Sequence, residues 1–185
     1  MKGTETVLLD RLPLTGDGSS PALFKPAGKN ARTGTGLNVL LVEDDRIDAF
    51  LMLEALKSVE QVSGLIHASD GQEALDLIAG GMRPDVIILD LNMPRVDGLS
   101  LLQRLEEGGR LPCPVIVMTS SRTSEDAFRS YRRGAWLAIT KPKNPQRYRI
   151  ILAKTLAEMK LTRSGHPPRL KVLRTRFHYV PGQPE

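Results

Sequence analysis

The stretch that decides the fold covers residues 86–94 and reads Val-Ile-Ile-Leu-Asp-Leu-Asn-Met-Pro. Its first four residues are branched and apolar, which is typical of a strand buried inside a parallel sheet. Asp90 stands where this strand ends, and Pro94 and Gly98 predict a loop soon afterwards. Because open α/β sheets bind ligands at the carboxyl ends of their strands, we interpret Asp90 as a functional residue.

Three further apolar runs end in polar residues in the same way. They are residues 39–42 before Glu43, Asp44 and Asp45, residues 115–118 before Thr119 and Ser120, and residues 136–139 before Thr140 and Lys141. If the four runs are parallel neighbours, one rim of the sheet carries several carboxylates, a hydroxyl and an ammonium. Crowded carboxylates repel one another, and a divalent cation with oxygen ligands relieves that repulsion. Each acid alone is also explained as a cap of the following helix, but the coincidence at four strand ends favours a site.

Helical patterns separate these strands. Asp45 is a suitable N-cap for the first helix, in which Ile47, Phe50, Leu51 and Leu53 are predicted to face the core. The other helices are predicted to begin near residues 70, 98, 124 and 144, and residues 65–68 are predicted to form a short second strand. Five strands alternating with five helices indicate an open parallel sheet with right-handed crossovers.

The order and spacing of these elements resemble the receiver domain of two-component response regulators. The motifs that carry the resemblance are Glu43-Asp44, Asp90 with Met93-Pro94, Asp97-Gly98, Thr119-Ser120 and Lys141-Pro142. The resemblance covers roughly residues 37–160. It implies a flavodoxin-like α/β fold, with a five-stranded parallel sheet in the order 2-1-3-4-5 and helices on both faces.

A narrower resemblance concerns one group within this family. The acidic residues 43–45 followed by Asp48-Ala49, and the segment from Ser130 to Ala135, are similar to the small response regulators that partner bacterial and cyanobacterial phytochromes. This similarity implies a phytochrome kinase as a partner.

The resemblance also implies roles for the residues of the rim. Asp90 is expected to accept a phosphoryl group from a phosphohistidine on a sensor histidine kinase and to form an aspartyl phosphate. Magnesium is the expected cofactor, and its expected ligands are Asp44 and Asp90 directly, Glu43 through a water, and the backbone carbonyl of Asn92. Lys141 is expected to place its charge on the phosphoryl oxygens, and the hydroxyl of Thr119 to move toward them as the trigger. Asp45 is expected to cap the helix rather than to bind metal.

Further expectations from the family concern phosphate lifetime and contacts between subunits. Asn92 and Ser121 occupy positions that bear on how long the phosphate survives. The residues that flank the family's common dimer surface, around the fourth helix and fifth strand, are Tyr131, Arg132, Arg133 and Trp136. The Lys141–Pro142 peptide bond is expected to be cis.

One position departs from the family's pattern. Receivers often carry an aromatic residue in the middle of the fifth strand, and that position is Ala138 here. Trp136 lies two residues earlier, so the period of a strand predicts that it points to the same face. Trp136 therefore either replaces the missing aromatic residue or serves as an exposed interface anchor.

Three segments are predicted along the chain. Residues 1–36, dense in Gly, Ser, Thr and Pro, are predicted to form a flexible N-terminal arm, residues 37–161 the receiver domain, and residues 162–185 a basic C-terminal tail. The first segment holds five Lys/Arg against three acids and the last five against one, so the whole of the net positive charge lies outside the domain, which itself carries a net charge of −1. Residues 170–180 are strand-like, and they could extend a sheet edge, pair with a partner or stay disordered.

Composition also bounds the setting. No apolar run approaches the ~18 residues of a membrane span, and the N-terminus does not resemble a signal peptide. Cys113 is the single cysteine, which excludes an intramolecular disulfide and indicates a reducing cytoplasm. We therefore expect a cytoplasmic protein without a membrane partner, and five dispersed charges per tail do not favour nucleic-acid binding.

The function predicted from these observations is that of a stand-alone response regulator. Phosphorylation of Asp90 with Mg²⁺ is expected to switch partner binding or dimerisation, and no enzyme activity is expected beyond self-phosphorylation and self-dephosphorylation. The alternatives are a receiver fold that is inert to phosphorylation and a phosphohydrolase with an Asp nucleophile. Phosphohydrolases that also use an Asp nucleophile at the end of a strand need a second Asp two residues later. This chain has Asn92 at that position. A flavin module is disfavoured because an acidic cluster, not a phosphate cradle, follows Val42.

Overall fold

The structure is a computed structural model that describes residues 36–107, 111–120, 124–161, 172–173 and 178–179. Its helices are α1 (Arg46–Lys57), α2 (Gly71–Ala79), α3 (Gly98–Glu106), α4 (Ser124–Arg132) and α5 (Gln146–Leu161). Its strands are β1 (Leu37–Val42), β2 (Val62–Ala68), β3 (Val86–Leu89), β4 (Val115–Thr119), β5 (Leu137–Thr140), β6 (Val172–Leu173) and β7 (His178–Tyr179). Strands and helices alternate from β1 to α5, as predicted.

The first five strands form a parallel sheet in the order β2-β1-β3-β4-β5. The register places Val42 beside Leu89 and Thr119 beside Thr140, so that neighbouring strands end close together. The predicted flavodoxin-like fold is therefore confirmed, and the polar residues that follow the strands meet at one rim.

Two short strands extend the sheet beyond the five that were predicted. β6 pairs in parallel with β5, with Val172 in register with Ala138, and β7 pairs antiparallel with β6. These strands lie in the segment for which the sequence left three outcomes open, and the first of them, extension of a sheet edge, is found. The rest of the predicted tail and the predicted N-terminal arm, apart from Gly36, lie outside the described residues, and both remain predictions.

Two apolar cores cover the faces of the sheet. Residues of α1 and α5, including Met52 and Leu156, pack on one face, and residues of α2, α3 and α4, including Leu102, pack on the other. The strand β3 is buried on both faces, as its unbroken apolar sequence indicates. Within the described part of the chain, no helix combines the length and the apolar character that crossing a bilayer requires.

The predicted buried face of α1 is wrong in part. Leu53 is buried and Leu51 packs against the core, but Ile47 and Phe50 are 71% and 59% exposed. The buried residues of α1 are Ala49, Met52, Leu53, Ala55 and Leu56, which recur at the spacing of one helical face. The sequence places apolar residues on more than one side of α1, and only packing against the sheet and α5 selects the side that is buried.

Ile150 of α5 is apolar but is also exposed, whereas Leu156 and Met159 are buried. Its neighbour Ile151 packs against the same core as α1. The buried side of α5 thus runs through Tyr148, Leu152, Leu156 and Met159, and Ile150 lies outside it.

Trp136 does not take the place of the missing aromatic residue. It precedes β5 and packs against the core of α1 and α5, whereas Ala138 belongs to the core on the opposite face. The two-residue period applies only within an extended strand, and Trp136 lies in a bend before that strand. Trp136 is half-buried, so it is not the freely exposed anchor either.

The expectation of a cis peptide bond before Pro142 is also wrong. The Lys141–Pro142 bond is trans, the isomer that an X–Pro bond favours by ~0.5–1 kcal/mol when its surroundings do not select the other.

Candidate functional site

Backbone hydrogen bonds continue the sheet past the strand ends and position the rim residues. The Asp90 amide donates to the Val42 carbonyl at 2.9 Å, and the Glu43 amide donates to the Ala68 carbonyl at 3.1 Å. On the other side, the Lys141 amide donates to the Thr119 carbonyl at 2.9 Å. Each side chain of the rim therefore starts from a backbone position that is fixed by the neighbouring strand.

The carboxylates of Glu43, Asp44 and Asp90 form one cluster. An oxygen from each can be chosen so that all three lie within 4.8 Å of one another. Glu43 and Asp90 are buried and Asp44 is half-buried. Asp45 is not in the cluster, because its Oδ1 accepts hydrogen bonds from the amides of Ile47 and Asp48 at 2.9 Å. The prediction that Asp45 caps α1 is confirmed.

The ammonium of Lys141 lies between three carboxylates. Its Nζ is 2.8 Å from Glu43 Oε2, 2.9 Å from Asp48 Oδ2 and 3.4 Å from Asp90 Oδ2. The Lys141 side chain is 6% exposed, so these contacts are largely shielded from water. An ion pair in such a place is stronger than one at the surface, but it also carries a cost of desolvation.

Burial and charge shift the proton affinities of these groups in the expected directions. Burial raises the pKa of Glu43 to about 7, against the opposing effect of the hydrogen bond from Lys141. Burial likewise raises the pKa of Asp90, although the positive charge of Lys141 counteracts it. Burial alone lowers the pKa of Lys141, but its hydrogen bonds to Glu43 and Asp48 outweigh that effect and raise the pKa. Burial is therefore the main cause of the raised pKa of the two carboxyl groups, and the neighbouring carboxylates are the cause of the raised pKa of Lys141.

The donor set fits a divalent cation with oxygen ligands. Three carboxylates, those of Glu43, Asp44 and Asp90, form the cluster, and the Lys141 ammonium that contacts two of them also pairs with Asp48, so negative charge remains to be balanced. Asp90 Oδ1 is buried and has no hydrogen-bond partner among the described residues, which leaves a ligand atom available. Such oxygens, together with waters and phosphate oxygens, are what Mg²⁺ prefers.

Thr119 and Asn92 meet beside the acidic cluster. Thr119 is buried at the end of β4, and Asn92 Nδ2 donates to its Oγ1 at 3.3 Å. Asn92 itself is exposed in the loop after β3. The structure thus brings together the predicted site residues of β1, β3, β4 and β5, whereas Ser121, the second residue predicted to affect phosphate lifetime, lies outside the described residues.

The predicted interface residues lie on α4 and just after it, separate from the acidic cluster. Tyr131 is 44% exposed and Arg132 is exposed, whereas Arg133 is half-buried and its Nη1 donates to Gln103 Oε1 at 2.8 Å. With Trp136 packed against a core, Tyr131 and Arg132 are the members of this group that remain open for contact.

Asp48 is a site residue to which the sequence assigned no role. It lies in the first turn of α1 and contacts Lys141, which follows it by 93 residues. Its other oxygen, Oδ1, accepts a hydrogen bond from the hydroxyl of Tyr148 on α5 at 3.4 Å. The sequence signals for Asp48 are its place in the helical turn that directly follows the acidic rim and its part in the narrower resemblance, and neither predicts its contact with Lys141. Tyr148 carries no such signal.

A second missed contact holds the loop after β3. Asp70 caps α2, where its Oδ1 accepts from the amides of Gln72 and Glu73, and its Oδ2 pairs with the guanidinium of Arg95. Arg95 has a backbone φ of 65°, an unusual value for a residue with a side chain. The loop that follows Asp90 is therefore tied to the start of α2.

Comparison with known proteins agrees with this geometry. The family model for the response regulator receiver domain matches residues 39–153. The response regulator Rcp1 of Synechocystis is 34% identical in an alignment of 113 positions that covers 57% of this chain and 77% of Rcp1. A protein-glutamate methylesterase/protein-glutamine glutaminase of Syntrophus aciditrophicus is 34% identical over 109 residues, but the chain spans only 30% of its length.

Solved structures of related proteins share the fold. The phosphorylated cyanobacterial phytochrome response regulator RcpA superposes with a TM-score of 0.62 at 31% identity, over 72% of this chain and 99% of RcpA. The Mn²⁺-bound form of Rcp1 superposes with a TM-score of 0.60 at 29% identity, over 71% of this chain and 99% of Rcp1.

Proposed function

Because the chain belongs to the response regulator receiver family, we propose that it accepts a phosphoryl group on Asp90 from a sensor histidine kinase and uses this modification to switch partner binding or dimerisation. The single observation that carries this proposal is the carboxylate of Asp90, which is buried, retains an oxygen without a hydrogen bond among the described residues and lies 3.4 Å from Lys141 Nζ.

The proposed chemistry is a transfer between a nitrogen and an oxygen. One carboxylate oxygen of Asp90 attacks the phosphorus, the bond between phosphorus and the donor imidazole breaks, and the imidazole keeps the electron pair and takes up a proton. The new bond joins phosphorus to the carboxylate oxygen of Asp90. The other side chains at the strand ends stabilise the negative charge of the phosphoryl group and form no covalent bond. Lys141 supplies a positive charge to the phosphoryl oxygens, and Thr119 supplies a hydroxyl.

The acidic cluster would hold Mg²⁺ through Asp44, Asp90, the Asn92 carbonyl and, by way of water, Glu43. When bound, the cation neutralises the phosphoryl oxygens. The related regulator Rcp1 is known in a form bound to Mn²⁺, a cation of the same charge. This supports a divalent cation as the ion that the acidic cluster would hold.

A phytochrome kinase is the proposed donor, supported by the likeness to RcpA and Rcp1. The proposed output is a dimer formed through the surface of α4, where Tyr131 and Arg132 are exposed. We expect the module to act in the cytoplasm without membrane or nucleic-acid partners, as its composition predicts.

The test is labelling with a small phosphodonor such as acetyl phosphate in the presence of Mg²⁺, read by a mobility shift that detects aspartyl phosphate. Wild type is expected to be labelled and Asp90→Asn is not. Asp97→Asn is the matched control, because Asp97 lies in the same loop and caps α3, and Asn also serves as an N-cap. Equal labelling of the Asp90 variant would place the acceptor elsewhere.

The same preparation tests the two alternatives. An absence of label in the wild type, with or without Mg²⁺, would favour a receiver fold that is inert to phosphorylation. Turnover of phosphate esters by wild type would favour the phosphohydrolase. Asn92 stands two residues after Asp90, where a second acid would be needed for that reaction, and we therefore expect no turnover.

A further inference from the structure

Asp48 and Asp90 both contact the Lys141 ammonium, and the contact with Asp48 is the shorter one. The ammonium is 2.9 Å from Asp48 Oδ2 and 3.4 Å from Asp90 Oδ2, so it lies nearer to the carboxylate of the helix than to the proposed acceptor. Asp48 does not belong to the group that could hold a metal ion. Metal binding therefore does not explain why Asp48 contacts Lys141.

Three contacts fix the place of Asp48. Its amide donates to the cap residue Asp45 at 2.9 Å, which holds the first turn of α1. Its Oδ2 contacts Lys141, and its Oδ1 accepts a hydrogen bond from the Tyr148 hydroxyl at 3.4 Å. Both carboxylate oxygens thus have a partner, and each partner comes from a different element.

Tyr148 is a rigid support for this contact. It is buried in the core shared by α1 and α5, with Met52 and Leu152 in the same cluster. A buried ring with a polar end orients the group that its hydroxyl meets. Movement of the Asp48 carboxylate toward solvent would leave the Tyr148 hydroxyl without this acceptor.

We propose that Asp48, oriented by Tyr148, is a positioning residue that draws the Lys141 ammonium away from Asp90 and thereby disfavours the phosphorylated state. This inference rests on the proposed function, because it concerns the charge that Lys141 supplies to a phosphoryl group on Asp90. Phosphorylation adds negative charge at Asp90, and Lys141 can follow that charge only by giving up its contact with Asp48. Phosphorylation therefore also releases a link between α1 and the residue that directly follows β5.

The test measures the affinity for beryllofluoride, a mimic of the phosphoryl group, by fluorine NMR at saturating Mg²⁺. Asp48→Asn removes the charge that holds Lys141 and is expected to raise the affinity about fivefold, which corresponds to the ~1 kcal/mol of a partly exposed ion pair. Tyr148→Phe removes only the hydroxyl and is expected to raise the affinity about twofold, as for a weak hydrogen bond. If Asp48→Asn folds poorly, the Tyr148→Phe variant alone tests the inference.

Two controls separate positioning from a general effect of charge or stability. Glu54→Gln removes one negative charge from the same helix, where Glu54 pairs with Lys57 instead of Lys141, and is expected to leave the affinity unchanged. Asp48→Asn is then repeated in a Lys141→Met background. If Asp48 acts through Lys141, its effect disappears there, whereas a structural role would persist in both backgrounds.

The outcomes are distinct. A rise in affinity that disappears with Lys141→Met supports the inference. An unchanged or lower affinity in both the Asp48 and Tyr148 variants, or a rise that persists without Lys141, overturns it while the proposed function stands. Wild type that binds no beryllofluoride and accepts no label overturns both.

Discussion

Gly98 lies directly against the backbone of Asp90. A Cβ added at Gly98 would meet the Asp90 carbonyl oxygen and would come within 2.7 Å of the Leu91 Cα. The Gly98 amide also donates to the Leu91 carbonyl at 3.0 Å, which closes the loop between β3 and α3. The start of α3 therefore fits against the backbone of the proposed acceptor, and there is no room between them for a side chain.

The first prediction concerns Gly98→Ala. The added methyl group must push the loop or Asp90 aside, and we expect the free energy of unfolding to fall by about 1–3 kcal/mol, as for other overpacked sites. We also expect slower labelling of Asp90 by acetyl phosphate, because its carboxylate moves relative to Lys141. Urea denaturation and the labelling assay measure the two effects.

Gly80→Ala is the matched control. Its added Cβ would lie 3.2 Å from the Asp76 carbonyl oxygen, and Gly80 has an ordinary negative φ of −68°. We expect this substitution to change the free energy of unfolding by less than about 1 kcal/mol. Equal losses in the two variants would mean that close contact at Gly98 does not matter.

The second prediction concerns the two sides of α1. Met52 is fully buried, and Met52→Ala is expected to lower the free energy of unfolding by about 2–5 kcal/mol through the cavity it leaves. Ile47 is 71% exposed, and Ile47→Ala on the same helix is expected to change it by less than about 0.5 kcal/mol. Urea denaturation distinguishes the two. A large loss at Ile47 would show that its side chain is covered in solution.

The third prediction concerns Mg²⁺ binding at the acidic cluster. A ligand that binds only the folded state stabilises it by mass action, so Mg²⁺ at ten times its dissociation constant is expected to add ~1.4 kcal/mol and to raise the unfolding temperature by a few degrees. Asp44→Asn removes a proposed ligand and is expected to abolish the rise. Differential scanning calorimetry with and without Mg²⁺ makes the measurement.

Asp45→Asn provides the neighbouring control. Asp45 caps α1 and lies outside the cluster, and Asn caps equally well, so the rise with Mg²⁺ is expected to persist. Loss of the rise in the Asp45 variant but not in the Asp44 variant would reverse the assignment of ligand and cap.

The fourth prediction concerns the single thiol. Burial, with a smaller contribution from the charge of Asp85, raises the pKa of Cys113 to about 12, whereas a thiol in the unfolded chain titrates near ~8.5. The folded state thus keeps a proton that the unfolded state loses. The free energy of unfolding is therefore expected to fall as the pH rises above ~8.5 toward the folded pKa.

Alkylation by iodoacetamide provides the kinetic measurement. At pH 8 the native protein is expected to react at least ~100-fold more slowly than the protein in urea, because the thiolate is the nucleophile. Cys113→Ala should remove both the reaction and the thiol's share of the pH dependence. Rapid alkylation of the native protein would show that Cys113 is more open than the structure describes.

Much of the site could be predicted because its residues share a simple rule. Asp90, Glu43, Asp44, Thr119 and Lys141 each follow an apolar run that reads as a strand, and parallel strands end at the same edge. The open parallel sheet followed from the same alternation of strands and helices, and its strand order was implied by the resemblance to the receiver family. The capping role of Asp45 was equally local, because an N-cap needs only the amides of the next turn.

The contacts of Asp48 and Tyr148 could not be predicted from the sequence because they join distant parts of the chain. Asp48 meets Lys141 and Tyr148 across 93 and 100 residues, and no local spacing brings them together. The pairing of Arg95 with Asp70 is also long-range, across 25 residues. Such contacts depend on how helices pack on the sheet rather than on the pattern within one element.

The sequence by itself determined the order of strands and helices along the chain, the open parallel sheet, and the acids, hydroxyl and ammonium at the strand ends. Each of these depends on periodicity or on residues a few positions apart. Only the tertiary structure decided that Ile47 and Phe50 of α1 face outward. It also decided that Trp136 and Ala138 belong to the cores on opposite faces of the sheet, and that the Lys141 ammonium contacts both Asp48 and Asp90. The physical reason is that burial and ion pairing are set by which elements pack together, and a linear pattern offers several helix faces and several partners among which only packing selects.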